Sequence, residues 1–171
     1  ESAIFSQVVG AYMDVIRGKT AMLFEASTHS AAMLAGANNQ QAEALRVFGD
    51  HLGIAFQLMD DLLDYRGDAE ALGKNVGDDL AEGKPTLPLI HAMREGTAAQ
   101  AERVRKAIQQ GGSQDLEGIR AAVEAAGSLD YTAQLARDYA QKAINCLESL
   151  SANAYREGLI ELSQFAVARS H

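Results

Sequence analysis

Apolar residues recur along this chain at three- and four-residue steps, the period of a helix with one buried face. No stretch alternates with the period of two that marks a half-buried strand. Ile4, Val8, Tyr12 and Val15 form the stripe of a first helix over Ser2 to Arg17, and Gly18 punctuates it. A second helix is predicted from Lys19 to Gly36, and a long third from about Asn39 to Tyr65. Gly67, Gly73, Gly77 and Gly83 then break the periodicity, so 67–84 reads as a loop. Pro85 and Thr86 open a short helix that ends near Gly96. Thr97 caps one that runs to about Gln110 and stops at Gly111 and Gly112. Ser113 or Asp115 caps the next, as far as Gly127. Ser128 caps a long helix to about Leu150, and a last helix covers about Asn153 to Ala168. The expected fold class is all-α: one compact helical domain, or half of one.

Composition narrows what such a fold can do. The chain has 171 residues, enough for one domain with a real core, and is 47% hydrophobic, so a disordered chain is not expected. Its net charge of −8 opposes nucleic-acid binding, which needs clustered Lys and Arg, and opposes an anionic membrane surface. No apolar run reaches the length of a membrane span, so none is predicted. A single cysteine, Cys146, rules out an internal disulfide and a cysteine-rich zinc site, which fits a reducing, cytoplasmic setting. The amphipathic pattern begins at once, without a loose terminus, and an upstream piece is expected to be missing.

The third helix holds the sharpest chemical signal. It reads Phe56-Gln57-Leu58-Met59-Asp60-Asp61-Leu62-Leu63-Asp64-Tyr65. On an ideal helix Asp60, Asp61 and Asp64 fall within about 60° of Gln57, with Asp50, Gly53 and Arg46 on the same stripe. Nearly all the rest of these turns is apolar, which predicts a largely buried helix with one anionic seam. Three crowded carboxylates must either hold protons or be neutralised by cations. Their oxygen ligands favour magnesium, which keeps several waters and shares its shell with a substrate phosphate. A solvated helix face is the plainer reading of the same residues. Gly53, one turn above Gln57, leaves room for an elongated ligand or allows a close helix contact.

The glycine-rich segment that follows, Gly73 to Thr86, is not a Walker loop. Lys74 and Lys84 are cations placed to close over a diphosphate held from the other side, and Asp78 could supply a further carboxylate to a metal or to a lysine. Lys19 and Thr20 can both donate to phosphate oxygens. All of these could equally be surface residues.

Taken together the residues resemble the trans-isoprenyl diphosphate synthases. That family's second aspartate-rich motif, FQxxDDxxD, matches Phe56, Gln57, Asp60, Asp61 and Asp64. Its GKxxGxDxxEGKxTLP stretch matches Gly73 to Pro88, and its upstream Lys-Thr pair matches Lys19 and Thr20. The run from Leu72 to Met93 is similar to the bacterial octaprenyl branch, whose product becomes the side chain of ubiquinone. The resemblance implies an isoprenoid-synthase-type helical bundle and a magnesium-dependent prenyltransferase that condenses isopentenyl diphosphate with an allylic prenyl diphosphate such as farnesyl diphosphate. Asp60, Asp61, Asp64 and Asp78 would serve the metal. Lys19, Lys74 and Lys84 would meet diphosphate, Thr20 and Gln57 would lie near the reacting carbons, and Phe56 would contact isopentenyl diphosphate. A homodimer is implied.

One departure stands out. Family members carry a first aspartate-rich motif followed by paired arginines, and this chain has neither. Residues 1–171 are therefore expected to be the C-terminal half of a synthase, inactive alone. Three alternatives stay open: a class I terpene cyclase, whose usual Asn/Ser/Glu metal motif is absent here; a di-iron bundle, which would need Glu-x-x-His pairs; and a non-catalytic partner subunit. His29, His51, His91 and His171 are given no role.

Overall fold

The computed structural model describes residues 2–66, 77–110 and 115–169. The described residues form helices and turns, with no strand among them. In chain order the α-helices are α1 (Ser2–Ile16), α2 (Met22–Leu34), α3 (Asn39–Arg66), α4 (Asp78–Ala81), α5 (Leu87–Glu95), α6 (Ala98–Gln110), α7 (Leu116–Ala125), α8 (Ser128–Cys146) and α9 (Ala154–Ala168). The all-α expectation is met.

Several boundaries follow from side-chain caps. Asn38 accepts from the Gln41 N–H at 2.9 Å while Gln41 Oε1 accepts from the Asn38 N–H at 3.2 Å, a reciprocal box that opens α3. Thr97 and Gln100 do the same for α6, and Asn153 accepts from the Arg156 N–H at 2.9 Å to open α9. Three sequence expectations fail at boundaries. Gly18 does not end a helix. It lies in a π turn, Arg17–Ala21, flanked by right-handed backbone at Ile16 and Met22, so α1 runs into α2 without a break. Ser128 does not cap α8 with its side chain. It is the first helical residue, and its hydroxyl is 3.0 Å from Nδ1 of buried His91. That helix also ends sooner than predicted, in a tight turn over Leu147–Ser149.

The chain forms two compact units. Of the described residues, one comprises 2–12, 60–66, 77–110 and 115–134, the other 13–59 and 135–169. In the first, α5, α6 and α7 pack on one another and α4 rests on α6. Leu80, Leu87, Leu89, Val104, Ile119 and Val123 are fully buried there. The core of the second is Phe48, Leu52, Ala143, Leu147 and Ala166, flanked by Phe24, Leu45, Leu159 and Ile160. Helices α2 and α3 approach closely in this unit. A Cβ at Gly53 would lie 2.5 Å from Ala21 Cα, and one at Gly49 would lie 2.6 Å from the Phe24 carbonyl oxygen. Gly53 thus serves helix contact, and the room it leaves is filled by Ala21 and Phe24 rather than kept for a ligand.

Candidate active site

The end of α3 carries the aspartate-rich motif into the first unit. Asp61 is buried at 3% exposure, and Asp60 and Asp64 are half-buried. The Tyr12 hydroxyl donates to Asp61 Oδ2 at 2.6 Å, a short charge-assisted bond. Burial first, and the Asp61 charge second, push the Tyr12 phenol far above its ordinary pKa, so it stays a donor. Asp64 is tied to the start of α4. Its carbonyl accepts from the Gly77 N–H at 3.1 Å, and its carboxylate accepts from the Asp79 N–H at 3.3 Å. Gly77 has φ +88°, a left-handed turn that brings those amides round. Burial, followed by the neighbouring Asp79 charge, pushes the Asp64 carboxyl up to about 6, against the opposing pull of the α4 amides.

Lys84 lies 2.9 Å from Asp79 and 2.5 Å from Glu82, and these carboxylates hold its ammonium above the usual lysine range. The side chain of Asp78 is exposed, whereas that of Asp79 is half-buried beside Lys84 and Asp64. Counted from Gly77, the aspartate of the GxD pattern falls on Asp79, a signal the sequence reading passed over in favour of Asp78. The sequence pattern alone places Tyr12 in an apolar stripe. A buried tyrosine needs a partner for its hydroxyl, and that requirement was the available clue.

In the second unit the Thr20 hydroxyl donates to Gln57 Oε1 at 2.7 Å, joining the π turn to α3. Gln57 is buried, and Lys19 in the same π turn is exposed. π turns inside α-helices are frequent at functional positions. Phe56 is half-buried. Its ring centroid is 5.6 Å from that of Phe24, the Arg169 guanidinium lies 4.2 Å above it, and Arg169 also donates to the Phe56 carbonyl at 3.2 Å. Arg169 carried no sequence signal that would have found it.

The structure thus gathers Tyr12 with Asp61, Asp64 with Asp79 and Lys84, and Thr20 with Gln57. Lys74 lies outside the described residues. Among the described residues no group of three or more His, Cys, Asp or Glu side chains is arranged to hold a metal ion by itself. The donor chemistry still suits a hard divalent ion. The side chains are carboxylates, one is buried, and one is driven towards protonation by burial and the neighbouring Asp79 charge. Magnesium needs only one or two protein carboxylates when substrate oxygens and water complete its shell.

The sequence model of the polyprenyl synthetase family matches residues 3–126. A curated relative, the octaprenyl diphosphate synthase of Haemophilus influenzae, is 50% identical over 94% of this chain and 49% of its own length. The chain therefore spans about half the length of the curated relatives it matches. A crystal structure of polyprenyl synthase from Caulobacter crescentus CB15, complexed with calcium and isoprenyl diphosphate, superposes with a TM-score of 0.89 at 44% identity, over 95% of this chain and 50% of that one. Geranylgeranyl pyrophosphate synthase from Corynebacterium glutamicum, complexed with isoprenyl diphosphate and magnesium, superposes at 0.86 and 30% identity, over 94% and 47%. No described helix is long and apolar enough to cross a membrane.

Proposed function

The chain belongs to the polyprenyl synthetase family, and from that premise we propose that it forms the C-terminal half of a trans-polyprenyl diphosphate synthase domain. Such an enzyme extends an allylic diphosphate with isopentenyl diphosphate into a long all-trans chain. The similarity to octaprenyl diphosphate synthases at about half identity supports an octaprenyl product, used for ubiquinone. The observation that supports this reading most is the crowding of carboxylates at the end of α3: Asp61 is buried, and Asp64 is pushed up to about 6 by burial and by Asp79.

Asp60, Asp61 and Asp64 would hold magnesium, with Asp78 or Asp79 as a further carboxylate nearby. The ion, when bound, supplies positive charge against the departing diphosphate. Lys19, Lys74 and Lys84 take up charge on diphosphate oxygens, and Lys84 would exchange one of its present carboxylate partners to do so. Thr20 orients the Gln57 amide so that its dipole can face the carbon that develops positive charge. Phe56, fixed by Phe24 and Arg169, contributes to the isopentenyl site. Exposed Val15, Met22, Leu23 and Met33 support a homodimer, and the lone cysteine supports a cytoplasmic setting.

The test is chain elongation from farnesyl and isopentenyl diphosphates with magnesium. The 171-residue chain alone should give no product, and robust elongation by it would remove the need for an upstream half. In a protein that also carries a first aspartate-rich motif, Asp60→Ala should lower turnover at least about 100-fold, the scale on which single electrostatic stabilisers act. Near-normal turnover would take Asp60 out of the metal role.

A further inference from the structure

We propose that Tyr12 is a positioning residue for the Asp61 carboxylate, fixing its orientation before a divalent cation arrives. This rests on the reading of Asp61 as a metal ligand. Tyr12 and Asp61 are both buried, at 7% and 3% exposure, and are separated by 49 positions in sequence. Their 2.6 Å hydrogen bond is the short kind formed when an O–H meets a charged acceptor. It ties Oδ2 and restricts rotation of the carboxylate about its last bond. Asp64 receives its restraint from backbone amides of the Gly77–Asp79 turn, whereas Tyr12 supplies Asp61 with a side-chain donor. A partner that hydrogen-bonds a metal-binding carboxylate sets its geometry, and losing such a partner typically costs about 10- to 100-fold in metal affinity.

A bond that merely pinned α1 to α3 would behave differently. Its loss would lower the melting temperature and leave metal affinity alone. The deciding experiment titrates Mn2+ by electron paramagnetic resonance in the presence of inorganic pyrophosphate. It compares the 171-residue wild type, Tyr12→Phe and Asp61→Asn, with metal-free melting curves for each. Tyr12→Phe should bind Mn2+ about 10-fold more weakly and gain less melting temperature from it than wild type. Affinity unchanged within about twofold alongside a lowered metal-free melting temperature would make the bond structural only and overturn the proposal. If wild type and Asp61→Asn bind alike, or neither binds, the metal reading of Asp61 has itself failed. Should Tyr12→Phe not fold, the Tyr12 13Cζ resonance of labelled wild type replaces it. Mg2+ with pyrophosphate should shift that resonance as Asp61 takes on the ion, and a resonance that stays put refutes the coupling.

Discussion

Asp64→Asn removes a charge that the metal-free fold tolerates poorly, and its effect can be worked from the structure. The carboxyl rises from an ordinary 3.8 to about 6, through burial first and the Asp79 charge second. Between those values the folded state holds a proton that the unfolded chain has lost, so stability falls as pH climbs through the window. Stability present below about 3.8 is therefore gone above about 6. The full difference corresponds to a ceiling of about 3 kcal/mol. Asp64 is only half-buried, and solvent screening cuts this to about 1–1.5 kcal/mol. Asparagine retains an oxygen to accept from the Asp79 N–H, so the α4 attachment survives. At pH 7.5 in EDTA the variant should melt roughly 2–6 °C above wild type, given the usual scaling for a chain of this size. At pH 4 the two should coincide. Magnesium with pyrophosphate should reverse the order, because the variant has lost a ligand. Circular-dichroism melting across pH 4–7.5 measures all three. A variant less stable than wild type at pH 7.5, or a gap that does not change with pH, would refute the electrostatic account of Asp64.

Two stability predictions concern the second unit. Gly53→Val must push Ala21 and Phe24 away, and should cost at least about 1–3 kcal/mol in urea unfolding while loosening the Thr20–Gln57 bond; a neutral result would mean that α2 and α3 separate easily. Phe48→Ala empties the centre of the same core and should cost about 3–5 kcal/mol by the same measurement.

Most helix positions were legible in the sequence because the apolar period and caps such as Thr97 act locally. The aspartate motif was legible for the same reason: it lies on consecutive turns of one helix. What escaped depends on partners far along the chain. Tyr12 finds Asp61 only after α1 meets α3, Gly53 is filled by Ala21 across a helix crossing, and Ser128 spends its hydroxyl on His91. Local rules assign each of these residues a stripe, a gap or a cap. Tertiary contact assigned them something else.

The π turn at Arg17–Ala21 changes how this stretch can vary. Ile16 and Ala21 are both buried although they lie five positions apart, whereas a regular helix would turn the second about 140° away from the first. Beyond Ala21 the inner positions return to ordinary steps through Phe24, Thr28 and Ala32. The turn behaves as an inserted residue whose surplus is absorbed on the spot. A one-residue deletion within it would leave the inward faces of both flanking helices in register and strip away only the local distortion that presents Lys19 and Thr20. The helical scaffold and the placement of Lys19 and Thr20 can therefore be edited separately at this point of the chain.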